Sequence, residues 1–305
     1  MGRKLLIILG PTAVGKTEYS IRKALEYGSP VISCDSRQIY KEMTIGTAVP
    51  DASQLDAVKH YFIHSHSVTE LYTAGKYELE ALELINSLFE QGHETLVMTG
   101  GTGFYIDAVC NGLDDFPSAD PSLRASLMER LRIEGVESLR LDLQRLDPQS
   151  YHTIDIANGQ RVVRALEVCL MTGRPFSSFK TSTVKSRDFE IEKIGLIRDR
   201  DVLYDRCNRR VLQMIDQGLV EEARSVLGYR ELPALQTVGY KELFAWFDWL
   251  DGKVSLDGWG PTTPGDGPVT SLDRAVELIQ RNTRHYAKRQ LSYWKRDKSI
   301  KWINL

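Results

Sequence analysis

Residues 10–17 of this 305-residue chain read GPTAVGKT, which is the phosphate-binding loop pattern G-x-x-x-x-G-K-[ST]. The apolar run Lys4–Leu9 before the motif predicts a buried parallel strand, and the helical pattern after Thr17 ends at Gly28. In a strand–loop–helix unit of this kind, the backbone N–H groups of the loop face an anion and the positive end of the helix dipole adds to their field. We therefore expect a phosphorylated ligand at this loop.

The side chains of the motif suggest separate tasks. Lys16 supplies a mobile positive charge, and the Thr17 hydroxyl can bind Mg²⁺ or a phosphate oxygen. The predicted diphosphate- or nucleotide-binding set is the whole motif, namely Gly10, Pro11, Thr12, Ala13, Val14, Gly15, Lys16 and Thr17. The motif does not identify the reaction, because nucleotide hydrolases, kinases and some transferases share it.

Composition narrows the class of protein. A hydrophobic content of 42% and a charged content of 26% are typical of a globular chain, and the net charge of −2 shows no global basicity. The four cysteines form no CxxC pair, which fits a reducing cytosol and argues against a zinc site. No apolar run approaches the roughly 18 residues of a membrane span. We expect a cytoplasmic protein without a membrane partner.

The first third of the chain alternates strands and helices. Residues 30–34 and 94–98 predict two further strands, and the helical pattern over 72–91 lies between them. The predicted fold class is α/β, a P-loop NTPase-like parallel sheet flanked by helices. Ligands of such sheets lie beyond the carboxyl ends of the strands, so residues 10–17, 35–38 and 100–102 should share one crevice.

The pattern changes at about Asp114, where leucines at helical spacing replace the strands. A strand returns at 193–199. We therefore predict an all-helical insertion lobe over 114–194, and a core formed by 1–113 and 195–305. Within the core, residues 251–271 are rich in Gly and Pro and predict an exposed loop, and 272–298 predict a C-terminal helix.

Asp35 is the first candidate for chemistry, because it follows a predicted strand end opposite the phosphate-binding loop. It could bind Mg²⁺ or act as a general base, and the alternative is an aspartate that only caps a turn. Three histidines, His60, His64 and His66, do not have the spacing of a zinc site, and we assign them no metal.

Basic residues cluster in three predicted helices, around Arg161 and Arg164, around Arg206 and Arg210, and over 281–296. The last stretch interleaves Lys and Arg with aromatic residues, which suits RNA because RNA is bound through phosphates and stacked bases. A solvated helix face is the alternative for any one of these helices, and three of them together favour RNA.

Taken together, these segments resemble the tRNA dimethylallyltransferases, the bacterial tRNA isopentenyltransferase family. The matching stretches fall in order over nearly the whole chain: GPTAVGKT (10–17), DSRQIY (35–40), IGTAVP (45–50), GGTGFYIDAV (100–109), NGQRVVRALEV (158–168), GLIRDRDVLYDRCNRRV (195–211), MIDQGLVEE (214–222), TVGYKEL (237–243) and HYAKRQLSYWKR (285–296). Val49 departs from the family, which often carries Lys there, so we assign that position no role.

The resemblance implies transfer of a dimethylallyl group from dimethylallyl diphosphate to N6 of the adenosine immediately 3′ of the anticodon, in tRNAs that read codons beginning with U. It implies that the catalytic residues are Asp35, Thr17 and Arg210, with Asp35 as the base and Thr17 as the Mg²⁺ ligand. It also implies contacts with the anticodon arm and the flipped adenosine. The matching positions are Asp35, Ser36, Arg37, Gln38, Thr102, Arg124, Gln160, Arg161, Val162, Val163 and Arg164. We expect a monomer.

Other functions remain open at this point. An ATP-dependent small-molecule kinase would explain the loop and Asp35, but it would leave the helical lobe and the basic C-terminal helix without a purpose. An adenylate isopentenyltransferase would not need the lobe either, and an RNA-binding switch without chemistry would not need Asp35.

Overall fold

The computed structural model describes residues 2–118, 120–181, 184–253 and 266–305. The chain divides into two compact units. We call the unit up to Cys110 together with Arg187–Leu305 the core, and Asn111–Ser186 the lobe. The sequence-based boundary at residue 194 falls inside a core strand, because that strand begins at Glu190, before its most apolar part.

The core is built on a parallel sheet. In the described part of the chain it has six strands in the order β3–β2–β4–β1–β5–β6. The strands are β1 (Lys4–Leu9), β2 (Val31–Ser33), β3 (His60–Tyr61), β4 (Thr95–Gly100), β5 (Glu190–Ile197) and β6 (Lys301–Asn304). Leu5–Leu9 of β1 are buried, as expected for a central strand covered on both faces. The predicted α/β class and the strands predicted at 4–9, 30–34 and 94–98 are confirmed.

Helices connect the strands and form the lobe. In chain order they are α1 (Lys16–Tyr27), α2 (Ala52–Ala57), α3 (Ala74–Glu90), α4 (Gly103–Asn111), α5 (Pro121–Glu134), α6 (Val136–Leu146), α7 (Pro148–Thr153), α8 (Gly159–Thr172), α9 (Arg200–Asp216), α10 (Leu219–Ser225), α11 (Tyr240–Leu250) and α12 (Leu272–Trp294). The C-terminal helix was predicted to reach residue 298, but it ends at Trp294 and strand β6 follows it. Most of the predicted loop 251–271 lies outside the described residues.

The lobe has its own hydrophobic core. Helices α5, α6 and α8 pack around a cluster of buried apolar side chains, which includes Leu127, Leu139, Leu143, Val162, Val163 and Leu166. Apart from residues 119, 182 and 183, which the structure does not describe, no strand lies between 115 and 189. This agrees with the all-helical lobe that the sequence predicts.

The strand register places the predicted site segments at one edge of the sheet. Leu9 of β1 lies opposite Gly100 of β4, and Ser33 of β2 lies opposite Thr99. The chain therefore leaves all three strands at the same level. Gly10 fits there because a Cβ atom at this position would lie 2.7 Å from the Leu196 carbonyl oxygen. Over the residues that the structure describes, no helix is long and apolar enough to cross a membrane.

Candidate active site

A cavity of about 440 Å³ opens at the carboxyl edge of the sheet, entirely within the core. Its wall includes residues of the phosphate-binding loop, the Asp35 segment, loop 45–49, α9 and α12. Among the lining residues are Lys16, Thr17, Asp35, Gln38 and Arg210. The structure thus brings the predicted diphosphate residues, the predicted base and one predicted adenosine contact together around one space.

The phosphate-binding loop turns its carbonyl groups toward cationic side chains. The Lys16 Nζ donates to the Gly10 and Pro11 carbonyls at 2.8 and 2.9 Å. Further along the same loop, the Arg206 Nε donates to the Ala13 carbonyl at 2.7 Å. The N–H groups at the start of α1 lack helical partners and remain the natural donors for an anion.

One further arginine and one glutamine also hold the phosphate-binding loop. The Arg198 Nε donates to the Val14 carbonyl at 2.9 Å, and the Thr12 N–H donates to the Gln290 Oε1 at 2.9 Å. Gln290 also donates from its Nε2 to the Gly101 carbonyl at 2.8 Å. This buried side chain of α12 therefore bridges the phosphate-binding loop and the loop that follows β4.

Lys16 and Arg210 place two half-buried positive charges beside the cavity. Desolvation and the neighbouring Arg210 lower the pKa of Lys16 to about 8, and the nearby Asp35 opposes this shift. Burial also lowers the pKa of Arg210, whose Nη1 lies 3.3 Å from the Thr12 Oγ1. Within the described residues, neither cation forms an ion pair. Desolvated positive charges are stabilised by a negative partner, so this arrangement favours an anionic ligand.

The Asp35 carboxylate has two oxygens in different surroundings. The Oδ1 atom accepts hydrogen bonds from the backbone N–H groups of Arg37 and Gln38, at 2.9 and 3.4 Å. No described residue donates to Oδ2, and Asp35 lines the cavity. Asp35 therefore caps a turn with Oδ1 and leaves Oδ2 without a described donor, so its role as a base or Mg²⁺ ligand stays a prediction.

The other residues of the predicted adenosine segment hold their own loop in shape. The Thr102 Oγ1 accepts from the Ser36 N–H at 2.9 Å and donates to the Ser36 Oγ at 3.1 Å. The Arg37 Nη1 donates to the Ser36 carbonyl at 3.1 Å, and the side chain also lines the cavity. Thr102 thus ties the loop after β4 to the loop after β2, which places the Asp35 segment.

Comparison with known proteins identifies the family. The family model described as IPP transferase matches residues 38–297. The tRNA dimethylallyltransferase 1 of Bacteroides thetaiotaomicron is 45% identical over 300 residues, which cover 98% of this chain and 91% of that protein. The chain belongs to the IPP transferase family.

Solved structures of similar proteins agree with this membership. The crystal structure of the full-length tRNA isopentenylpyrophosphate transferase from Bacillus halodurans is 35% identical, with a TM-score of 0.67 over 99% of this chain and 90% of that one. A eukaryotic dimethylallyltransferase, described as acting on tRNA, is 23% identical with a TM-score of 0.76 over 99% of this chain and 74% of that one. The second likeness supports the fold alone.

The predicted RNA contacts of the IPP transferase lobe differ in exposure. Val162 and Val163 have no exposed surface, because they form part of the lobe's hydrophobic core. Their side chains therefore offer no exposed surface to RNA here, and the contact of this segment with tRNA stays a prediction. Gln160 and Arg161 are exposed at the start of α8.

Arg124 and Arg164 share a buried partner within the lobe. Both guanidinium groups contact the Oε2 of Glu167, at 3.3 and 2.7 Å, and Glu167 is fully buried. Arg164 also donates to the Pro117 carbonyl at 3.0 Å. The two arginines remain partly exposed and carry one net positive charge with Glu167, so they form a fixed cationic pair rather than two free charges.

The other basic helices are also more specialised than the sequence indicates. In α9, Arg206 and Arg210 face the phosphate-binding loop and not solvent, whereas Arg209 is exposed and pairs with Asp205. In α12, Trp294 is buried, which excludes it from stacking on a base, and exposed cationic residues remain at Lys288 and Arg289. Side-chain to loop contacts over long sequence separations, such as those of Arg206 and Gln290, have no local signal that could predict them.

Proposed function

We propose that this protein transfers a dimethylallyl group from dimethylallyl diphosphate to N6 of the adenosine immediately 3′ of the anticodon, in tRNAs that read codons beginning with U. The product is N6-(dimethylallyl)adenosine. The observation that carries the proposal is a pair of half-buried cations, Lys16 and Arg210, in the same cavity as Asp35. Among the described residues neither cation has a carboxylate partner, and no group donates to the Asp35 Oδ2. The cations that would bind the diphosphate and the carboxylate that would act as the base line the same cavity, as prenyl transfer to an amine requires.

The reaction exchanges one bond for another. The N6 amine attacks the allylic carbon, the new C–N bond forms as the C–O bond to the diphosphate breaks, and one proton leaves the nitrogen. Asp35 accepts that proton through Oδ2, because Oδ1 already receives two backbone N–H groups. Lys16, Arg210 and the N–H groups at the start of α1 stabilise the negative charge that develops on the departing diphosphate.

The family resemblance implies Mg²⁺, and the donor set fits it. Within the described residues, no group of three His, Cys, Asp or Glu side chains gathers that could hold a metal by itself. Mg²⁺ commonly uses one or two protein ligands together with substrate phosphates and water, and the Thr17 hydroxyl at the cavity is suited to such a role. When bound there, the ion would neutralise charge on the diphosphate.

A base inside a stacked loop cannot reach this cavity, so the target adenosine must turn out of the stack. Gln38 and Arg37 line the cavity wall where an extruded base would enter. The cationic groups of the lobe and of α12 would bind the phosphates of the anticodon arm. We propose that the protein acts as a monomer in the cytoplasm.

The test compares acceptors and donors. Purified protein is incubated with Mg²⁺ and radiolabelled dimethylallyl diphosphate, together with tRNA, AMP or ATP. We expect label in tRNA and none in AMP or ATP. Label in AMP or ATP alone would indicate an adenylate isopentenyltransferase. Transfer from γ-labelled ATP to a small molecule, with no prenyl transfer, would instead support a kinase.

A further inference from the structure

Three stretches that match the family have so far no role in the site. They are IGTAVP at 45–50, MIDQGLVEE at 214–222 and TVGYKEL at 237–243. All three lie in the core, and residues of each line the cavity. Their side chains and backbone meet at Glu222 of α10.

The Glu222 carboxylate accepts four hydrogen bonds. Its Oε2 accepts from the N–H groups of Thr44 and Ile45, at 3.0 and 2.8 Å. Its Oε1 accepts from the Gly46 N–H at 2.9 Å and from the Tyr240 hydroxyl at 2.6 Å. Three successive backbone N–H groups around one anion form a nest, and the charge on the acceptor strengthens each bond.

Tyr240 closes this arrangement from the other side. It is fully buried, and a Cβ atom at Gly46 would lie 2.6 Å from its ring, so only glycine allows the loop to approach this closely. Burial and the negative charge of Glu222 raise the pKa of Tyr240, which keeps its hydroxyl a donor. Loop 44–48 is therefore held at its backbone by two side chains from distant parts of the chain.

The far end of this loop holds Gln38. The Gln38 Nε2 donates to the carbonyls of Thr47 and Ala48, at 3.1 and 2.8 Å. Its Oε1 receives a long contact of 3.5 Å from the Ser33 Oγ, and no other described group donates to it. Rotation of the amide by half a turn would put its oxygen against two carbonyl oxygens, so the loop fixes which end of the amide is the acceptor.

A fixed amide oxygen discriminates between purines. Adenine carries an amino group at C6, which donates a hydrogen bond, whereas guanine and hypoxanthine carry a carbonyl oxygen there, which only accepts. A fixed amide oxygen accepts a hydrogen bond from the amino group of adenine and repels the carbonyl oxygen of guanine or hypoxanthine. A freely rotating glutamine would accommodate both.

We propose that Glu222 and Tyr240 are positioning residues, which hold loop 44–48 so that Gln38 presents its amide oxygen to the extruded base. They thereby set the preference for a purine with an amino group at C6 over one with a carbonyl group. The inference rests on the proposed function, because it takes the extruded purine as the ligand of this cavity.

The test measures base discrimination by competition binding. Two RNA hairpins of anticodon stem-loop sequence carry adenosine or inosine at the target position, and each displaces a fluorescent adenosine hairpin. We expect the wild type to bind the adenosine hairpin at least about tenfold more tightly, the order of one hydrogen bond against an unpaired acceptor. In Glu222→Gln and in Tyr240→Phe the preference should fall to about threefold or less. Tyr240→Phe removes only a hydroxyl, so it tests the proposal even if Glu222→Gln does not fold.

The matched control is Glu221→Gln, the same change on the neighbouring residue of α10, which is exposed and should keep the wild-type preference. A double-mutant cycle with Gln38→Ala separates positioning from general loosening. If Glu222 acts through Gln38, then Glu222→Gln has no further effect on the preference once Gln38 is alanine. Folded Glu222→Gln and Tyr240→Phe proteins with the wild-type preference would overturn the inference, as would a wild type without any preference.

Binding is measured without prenyl transfer, so the two proposals fail separately. A wild type that prefers the adenosine hairpin but transfers no dimethylallyl group would contradict the proposed function and leave this inference standing. If the wild type transfers the dimethylallyl group but both variants keep the wild-type preference for the adenosine hairpin, the proposed function stands and this inference is contradicted.

Discussion

The two oxygens of Asp35 allow its chemical role to be separated from its structural one. Asp35→Asn keeps an Oδ1 acceptor for the Arg37 and Gln38 N–H groups but removes the basic oxygen. We expect the single-turnover rate of prenyl transfer to fall by roughly two to four orders of magnitude, the usual scale of positioned proton transfer, while tRNA affinity changes little. Asp35→Ala should add a loss of thermal stability, because it also removes the turn cap. A rate within a few fold of wild type in Asp35→Asn would exclude Asp35 as the base.

Lys16 links diphosphate binding to pH. Its pKa in the free protein is lowered from 10.5 to about 8, and a bound diphosphate would favour the charged form. Below about pH 8 the lysine is already protonated and binding takes up no proton. Above that pH binding takes up a proton, so affinity should decrease with rising pH by up to about tenfold per unit.

The control for this prediction is Lys16→Arg, whose charge does not titrate. The ratio of the two dissociation constants for inorganic diphosphate removes the titration of the ligand itself. We expect this ratio to be constant below about pH 8 and to change above it. The unfolded chain binds more protons between about 8 and 10.5, so the stability of the free wild type relative to Lys16→Arg should rise with pH in the same window. A flat ratio up to about pH 10 would show that Lys16 does not contact the diphosphate.

Arg210 is expected to favour diphosphate binding at the expense of the stability of the free protein. The half-buried guanidinium of Arg210 is partly desolvated and has no ion-pair partner among the described residues, so we expect Arg210→Met to leave the melting temperature unchanged or to raise it. The same variant should lower prenyl transfer by about a hundredfold or more and leave tRNA affinity nearly intact. Arg209→Met is the matched control, because Arg209 is exposed and pairs with Asp205. A large loss of stability in Arg210→Met would show that the arginine supports the fold.

At the scale of elements, sequence patterns predict the parts whose cause is local. The apolar run of β1 and the glycine motif that follows it identify the first strand, loop and helix together. Strands β3 and β6 have two and four residues, too few for periodicity to distinguish them from loops. The extent of β5 was also misjudged, because three of its first four residues are charged and precede the apolar run that indicates a buried strand.

The residues of the candidate site also fall into two groups, those that a local sequence pattern predicts and those that it does not. Local patterns predict Lys16 and Thr17, which begin α1, and Asp35, which follows the end of β2. The roles of Glu222, Tyr240 and Gln290 arise only from contacts with residues far away in the chain, and each of them looks like an ordinary helical residue in sequence. Val162 and Val163 show that a segment that matches a binding motif also contains the residues that anchor its helix in the hydrophobic core of the lobe, which the motif alone does not distinguish.

Helix α12 contributes to the anion site through Gln290. Gln290→Met keeps the size of the side chain but leaves the Thr12 N–H and the Gly101 carbonyl without a partner. We expect a loss of roughly 1–3 kcal/mol in the free energy of unfolding and a weaker affinity for inorganic diphosphate, because the loop is no longer fixed. Gln280→Met on the same helix removes one hydrogen bond to the Asn208 carbonyl and should affect stability alone. Equal diphosphate affinities in both variants would contradict the bridging role of Gln290.

At the scale of the molecule, the core and the lobe have separate hydrophobic clusters and separate sets of candidate residues. The chain leaves the core after Cys110 and returns at Arg187. Arg187 binds the Ala108 and Val109 carbonyls and pairs with Glu78, all of them within the core. The point of return is therefore fixed by contacts that do not involve the lobe.

This organisation predicts that the core folds without the lobe. Replacing residues 111–186 with a short Gly/Ser linker should leave the affinity for inorganic diphosphate close to that of the full chain, because Lys16, Thr17, Asp35 and Arg210 all remain. Affinity for tRNA should fall. The decrease of its logarithm with the logarithm of salt concentration should also become less steep, by roughly 0.7–0.9 for each lost phosphate contact. The matched variant is the full chain with Arg161→Ala, a change at an exposed position near the start of α8, which should reduce the steepness by a smaller amount and leave the lobe in place. A lobe-free protein that folds, binds diphosphate and keeps the full salt slope would show that tRNA is held by α12 and the core alone.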